Sequence, residues 1–439
     1  MPSSVKSRWR CVVVQNSHLS ASWQAKISLK GGLRKSSPPH HHPSYLLIDF
    51  ILISQQNVNM ELTHTTQGNL RVLRRQYFQI VNLERLKWPD ANILKTSAVQ
   101  TWIYENLFDQ DTVKSRPPER YQFRVLKKLV SIIEGAFDDP GEDVCRFPFL
   151  LLFHSTFTAI DRHFGKYMYI LMPYFALCGQ EISNDLMSIL SSLLSSNLPP
   201  ETVSAQQKAF VTYTYSTRPI DGPASSNELP VTLLESRAVI SSSGTTGLRT
   251  WEAALHLGNF LMSESGSEII RGKNVLELGA GTGLLSILCA KYLEAGRVIA
   301  TDGDEAVVDA IKTNIFINEL DIPEGPSTRG SIESAALKWG WPLQATAFEE
   351  DYGVGALDVV LGADVVSLTP QTCTASSSGK FLQTYDNSGI PLLVSTLREL
   401  FDLKSSVQVV IAASIRNEKT FETFVNACSG PLRICPMSD

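Results

Sequence analysis

The stretch Val275-Leu-Glu-Leu-Gly-Ala-Gly-Thr-Gly-Leu-Leu285 carries an apolar strand into alternating glycines and then into a helix that starts near Leu284. Gly279, Gly281 and Gly283, with Ala280 between the first two, leave little side-chain bulk at the strand end and the helix N-terminus, so a ligand can come close to the backbone there. A dinucleotide fingerprint would place its third glycine where this chain has Leu284, and no Gly-Lys-Ser/Thr follows, so neither that fingerprint nor a nucleotide phosphate loop is met. Further on, Arg297-Val-Ile-Ala-Thr301 reads as a second strand and leads into Asp302, an acid placed to accept both hydroxyls of a ribose. Glu277, just before the loop, is a partner for a cationic portion of a ligand. Glycine cradle, ribose acceptor and acid together suit a nucleoside bearing a zwitterionic tail with a positive sulfur. The bland alternative is a tight turn with an incidental surface acid.

These residues need a scaffold, and the chain alternates accordingly. Asn274–Leu278, Arg297–Thr301, Asp358–Leu361 and Val407–Ala412 are short β-branched runs separated by amphipathic helical stretches, which predicts parallel βαβ units. Upstream the period changes. Leu70, Leu73, Tyr77, Ile80 and Val81, and then Tyr121, Val125, Leu129 and Ile132, recur at helical spacing, so 61–197 is read as an α-helical N-terminal region. Residues 1–60 mix Ser, Lys, Pro and His without periodicity and read as a disordered leader, with Met60 as a candidate start. Residues 198–230, with Pro199, Pro200, Pro219 and Pro223 among many Ser and Thr, read as a linker, and 231–439 as the domain that carries the glycine loop.

Bulk properties narrow the function classes. The chain has 439 residues, 43% of them hydrophobic and 19% charged, enough for two to three domains at about 150 residues each. A net charge of −5 provides no global basic field, so direct nucleic-acid binding is not expected. The longest strongly apolar run, Tyr45 to Ile53, contains Asp49 and falls short of the roughly 20 residues that cross a bilayer, so no membrane span is expected. Seven cysteines are scattered without CxxC pairing, which points to free thiols in the cytoplasm. His40, His41 and His42 lie together in a flexible polar tract and are read as solvated; no metal site is expected.

The segment Gly244-Thr-Thr-Gly-Leu-Arg-Thr-Trp-Glu-Ala-Ala-Leu-His-Leu-Gly258 resembles the lead into the catalytic core of the family-16 lysine methyltransferases. The order that follows also fits: Glu277 to Gly283, Asp302, Trp339-Gly340 and Gly362-Ala-Asp-Val365. The resemblance spans about Leu233 to Cys428, and Leu73-Arg-Arg-Gln-Tyr-Phe78 is similar to the helical region of the elongation factor 2 branch. It implies a Rossmann-like, seven-strand methyltransferase sheet that uses S-adenosyl-L-methionine. By the same resemblance, Trp251, Gly279, Gly281, Asp302, Trp339 and Ala363 line the cofactor site. Each tryptophan has a second reading as a core residue, although Trp339 beside Gly340 suits stacking on an adenine.

The resemblance further implies a protein lysine as acceptor, elongation factor 2 as substrate and a monomeric enzyme, with Asp364 orienting the incoming ammonium and Tyr385 closing over it. A turn acid at a strand end is the alternative for Asp364. Relatives continue Asp-x-x-Tyr, whereas here 366–383 intervene before Thr384-Tyr-Asp386, so that segment is read as an insertion, from a retained intron or as a surface loop; 165–180 is a second suspect segment. Relatives also carry two more strands after the helix at Thr420 to Cys428, so a sheet lacking its last strands, with Val407–Ala412 exposed, is expected. The competing readings are a methyltransferase for another protein, RNA or small molecule, and a catalytically impaired binding module.

Overall fold

A computed structural model describes residues 8–16, 64–136, 182–204, 206–216, 228–237, 246–321, 330–344, 346–365, 389–415, 418–428 and 432–436. The suspect segments 165–180 and 366–383, and Tyr385, lie outside the described residues.

The N-terminal strand β1 (Arg8–Asn16) precedes helix α1 (His64–Phe78), α2 (Ser97–Ile103), α3 (Glu119–Glu134) and α4 (Asn184–Ser195). Most of the helical spacing read from the sequence is what these helices bury, while Ile80 and Val81 lie past α1 and, like Ile132, are half-buried. Leu70, Leu73 and Tyr77 of α1 meet Tyr121, Val125 and Leu129 of α3 and Leu186, Leu190 and Leu193 of α4 in one apolar cluster. Ser183 caps α4, its hydroxyl accepting the Leu186 N–H at 3.3 Å.

The hairpin of β2 (Lys208–Ser216) and β3 (Glu228–Ser236) follows, antiparallel throughout, with Lys208 opposite Ser236 and Ser216 opposite Glu228. Residues 208–216 and 228–230 of the span expected to be a linker lie in these strands. Proline and serine content suggested a loop, but Ala209, Val211 and Tyr215 are buried at every second or fourth position, so the strand alternation prevails over composition.

The main sheet continues with β4 (Asn274–Leu278), β5 (Arg297–Asp302), β6 (Ser331–Ala336), β7 (Val359–Ala363), β8 (Gln408–Ile415) and β9 (Leu432–Pro436), in the spatial order β6-β5-β4-β7-β8-β1-β9. The strands β6, β5, β4, β7 and β8 are parallel. Helices α5 (Glu252–Leu261), α6 (Glu264–Ile270), α7 (Leu284–Tyr292), α8 (Glu305–Ile317), α9 (Gly389–Leu403) and α10 (Glu418–Cys428) connect them. Successive strand residues serve opposite faces: Val275 joins the layer of α5, α7 and α8, and Leu276 joins the layer of α9 and α10. Fully burying a side chain such as Leu397 or Phe424 contributes roughly 1.5–3 kcal/mol.

Two expectations are corrected at the sheet's far end. Residues 8–16, assigned to a disordered leader, form β1, which lies antiparallel to β8 on one side and to β9 on the other. The β-branched Val12-Val-Val14 run favours a strand, but its partners are hundreds of residues away and invisible to local patterning. The sheet therefore has seven strands, and β8 is paired along the edge expected to face solvent.

Candidate active site

The glycine loop follows β4 and leads into α7. Gly279, Gly281 and Gly283 all have positive φ, at 65°, 55° and 79°. This left-handed region costs an L side chain roughly 1–2 kcal/mol, so the backbone path itself selects glycine. Space does so too. A Cβ on Gly281 would lie 3.1 Å from the Gly247 carbonyl oxygen, and one on Gly279 would lie 3.0 Å from Val365 Cγ1 and 3.2 Å from Trp339 Cζ2. The Trp339 indole, half-buried, therefore flanks the first glycine.

Asp302, at the end of β5, is drawn onto the same loop. Its Oδ2 accepts the Gly281 N–H and its Oδ1 accepts the Asp304 N–H, both at 3.2 Å. A carboxylate has about four lone-pair sites, so each oxygen keeps one for a hydroxyl from a ligand. Burial raises its pKa above the ordinary value, against the lowering effect of the backbone N–H groups it accepts. Ala280 donates its N–H to the Thr301 carbonyl at 2.8 Å, and the Thr301 hydroxyl donates to the Glu277 carbonyl at 2.6 Å, which fixes the ends of β4 and β5 together.

Glu277, expected to partner a cationic portion of a ligand, is bonded within the chain through one carboxylate oxygen. It is buried, and its Oε2 accepts both the backbone N–H of Ser286, at 2.9 Å, and the Ser286 hydroxyl. Burial pushes its pKa up to about 7 despite those bonds. The carboxylate thus clamps α7 to the strand beneath the loop.

Sequence reasoning missed a second buried acid, Glu235 of β3. It accepts the Thr250 hydroxyl at 2.6 Å, the Thr250 N–H at 3.3 Å and the Tyr213 hydroxyl at 3.5 Å. The hydroxyls of Thr250 and Thr282 lie 2.7 Å apart, and Asn314 of α8 donates its side-chain amide to the Thr282 carbonyl at 2.9 Å. The hairpin is thereby bonded to the glycine loop. Thr250 stood in the quoted segment, one position before Trp251, but nothing in the local sequence marks Glu235. Trp251 precedes α5 in an extended conformation and donates its indole N–H to the Thr246 carbonyl at 3.1 Å.

β7 lies beside β4, with Leu278 paired to Gly362, so Ala363 and Asp364 sit at the strand end that neighbours the glycine loop. Ala363 is half-buried. Asp364 adopts φ 55°, uncommon for a residue with a side chain and found at strained functional positions. Its Oδ1 accepts the Ser414 N–H at 2.8 Å, its Oδ2 the Ser414 hydroxyl at 2.9 Å, and its own N–H goes to Ala412. The carboxylate is thus oriented by β8 and retains acceptor capacity.

The strand ends bring together Gly279, Gly281, Asp302, Trp339 and Val365, with Asp364 on the adjoining strand. Left-handed glycines with little room for a Cβ, a carboxylate with acceptor capacity to spare and an indole at the cradle's rim leave a shape and chemistry that a nucleoside would fit. Among the described residues no group of three or more His, Cys, Asp or Glu is placed to hold a metal ion, and no helix is long and apolar enough to cross a membrane.

A family described as lysine methyltransferase matches residues 237–374. Protein-lysine N-methyltransferase EFM3 of Chaetomium thermophilum is 40% identical over 354 residues, 80% of this chain and 84% of the relative. EEF1A lysine methyltransferase 3 of Mus musculus is 35% identical over 176 residues, 40% of this chain and 59% of its own. Protein-lysine N-methyltransferase EEF2KMT of Mus musculus is 29% identical over 202 residues, 44% of this chain and 52% of its own.

Proposed function

We propose, from the premise that this chain belongs to the lysine methyltransferase family and is a protein-lysine N-methyltransferase, that it uses S-adenosyl-L-methionine to methylate elongation factor 2, as a monomer in the cytosol. The observation that carries the cofactor reading is the cradle of Gly279, Gly281 and Asp302 flanked by Trp339. Bound there, S-adenosyl-L-methionine supplies a methyl group on a positive sulfur. Asp302 would accept the ribose hydroxyls, the glycine backbone would admit the rest of the nucleoside, and Trp339 would flank the base. The Glu277 and Glu235 clamps hold the loop in place before the ligand arrives.

The remaining task for the chain is to present a neutral amine in line. A lysine begins with a pKa of about 10.4, and burial beside a positive charge lowers it. Asp364 receives the incoming ammonium by a charge-assisted hydrogen bond and sets its direction; the ammonium releases its proton to solvent before the freed nitrogen lone pair attacks the methyl carbon and the sulfur leaves with the bonding pair. Alignment of this kind is worth roughly 7–11 kcal/mol in favourable systems.

Elongation factor 2 is favoured by the Leu73-to-Phe78 resemblance and by the relative EEF2KMT; the relative EEF1A lysine methyltransferase 3 favours elongation factor 1A as a second reading. Purified enzyme with radiolabelled S-adenosyl-L-methionine and each factor separates the two. Label on elongation factor 2, and a mass shift of methyl increments on it in cells with the gene but not in cells without it, is the expected result. Label confined to elongation factor 1A selects the second reading, and label on neither overturns both.

A further inference from the structure

Strand β3 has two sides, and only one faces the cradle. Glu235 joins the Thr250–Thr282 network, whereas its neighbour Leu234, whose side chain points to the opposite face by strand alternation, lines a separate groove of about 230 Å³. The groove lies between the N-terminal part of α3 and the start of β2. Its charged residues are Arg116, Arg120 and Lys208, with one acid, Glu119.

These cations are unevenly committed. Arg120 donates to the Pro199 carbonyl at 3.1 Å. Arg116 is half-buried, and no ion pair joins it to an acid among the described residues; Lys208 is exposed and likewise has no carboxylate partner among them. A carboxylate arriving at a half-buried guanidinium gains a bidentate partner. Arg237, exposed just past β3, extends the positive field. In a chain of net charge −5 this is a local reversal of sign.

We propose that this groove docks an acidic segment of the protein substrate, and so holds the substrate's surface beside the cradle that lies across β3. The inference rests on the reading of the acceptor as a protein. The cavity's volume is below the roughly 300–1,000 Å³ typical of small-molecule sites and suits one or two inserted side chains. Glu119 interrupts the patch, whereas nucleic acid calls for a continuous basic stripe, so an acidic protein segment is favoured over RNA.

The test compares the full chain with R116E/K208E and the neutral R116Q/K208Q. Two quantities are read: KM for elongation factor 2, and the affinity for a fluorescein-labelled deca-glutamate peptide by anisotropy, with labelled oligouridylate as the competing polyanion. The reversal should raise KM for the protein and weaken peptide binding at least about tenfold, with the neutral pair intermediate and the Kd for S-adenosyl-L-methionine within about twofold of wild type. Added salt should weaken the wild type more than either variant. Unchanged peptide affinity in the reversal variant, no peptide binding by the wild type, or tighter binding of oligouridylate would each overturn the proposal. Failure of the wild type to label any elongation factor, with peptide binding intact, would instead count against the substrate reading.

Discussion

The two sides of β3 treat their charged residues in opposite ways. On the cradle side, Glu235, Glu277 and Asp302 are buried or nearly so, each accepts at least two hydrogen bonds from the chain, and burial raises each pKa. On the groove side, Arg116 and Lys208 share the lining with Glu119 but form no ion pair with an acid among the described residues. A site that must hold a donor in one geometry gains from polar groups already committed to the fold, because they need no reorganisation when the ligand arrives. A surface that must recognise a partner gains from charges still uncommitted.

The largest effect that can break this contrast is expected at Asp364, the one cradle acid assigned to the acceptor. Asp364→Ala should lower kcat by roughly 10²–10³-fold, in line with the loss of one preorganised polar contact to a reacting group, while Kd for S-adenosyl-L-methionine by calorimetry stays close to wild type. Because Asp364 also holds Ser414, Asp364→Asn serves as a second variant: asparagine tolerates positive φ and keeps an acceptor for the Ser414 N–H. If the asparagine variant turns over at the wild-type rate, Asp364 is only a strand-end anchor.

Next comes Glu277, where the contrast can be read through pH. Its folded-state pKa, about 7, stands above its ordinary value of 4.5. Between those values the folded chain holds the proton more tightly than the unfolded chain, so the stability this group contributes is fully present below 4.5 and is lost as pH rises to 7. Each pH unit in that window is worth about 1.4 kcal/mol. Glu277→Gln keeps an acceptor for Ser286 and does not titrate. From about pH 5.5 to pH 8.5 the wild type should lose roughly 2 kcal/mol of unfolding free energy relative to the variant. Parallel urea curves at the two pH values would show that the carboxylate is not buried as described.

What could be read from the sequence follows the same division between local and distant causes. Gly279, Gly281, Gly283 and Asp302 stand out in the sequence because a tight turn at a strand end, with the next strand's terminal acid bonded to it, imposes residue types at close spacing. Strands β4, β5, β7 and β8 were legible as continuous β-branched runs, as expected of strands buried on both faces. β6, Ser331–Ala336, lacks such a run and lies at the sheet edge, where an apolar sequence is not required. β1 was hidden because its pairing partners β8 and β9 are at the other end of the chain. Glu235 was hidden because a buried acid looks like any other acid until Thr250 is brought to it from 15 positions away. That Glu277 also bonds Ser286 could not be read from the sequence, since only the packing of α7 brings Ser286 to it.

A smaller effect is expected from glycine substitution. Gly281→Ala places a Cβ at positive φ and 3.1 Å from the Gly247 carbonyl. The backbone cost of roughly 1–2 kcal/mol, set against cofactor binding, corresponds to a Kd for S-adenosyl-L-methionine weakened about 5- to 30-fold. An alanine variant that binds as tightly as wild type would mean that the loop is not rigid.

The smallest effects concern how the helical region is joined to the hairpin whose two sides differ. Two acids tie the helical region to the chain around that hairpin, Glu228 within β3 and Glu201 seven residues before β2. Glu228, at the start of β3, lies between Arg74 and Arg75 of α1 at 2.9 and 3.1 Å, and its side chain is 17% exposed. Glu201 meets Arg124 of α3 at 3.3 Å with 70% of its side chain exposed. Removing a partly buried acid from two guanidinium groups leaves both without it, whereas an exposed pair returns to water and is screened by salt. Glu228→Gln should therefore cost about 1–2 kcal/mol of unfolding free energy and Glu201→Gln no more than about 0.5 kcal/mol, with the smaller loss vanishing in high salt. If the two variants unfold alike, burial does not set the strength of this junction, and the helical region would be held to the hairpin by its apolar contacts alone.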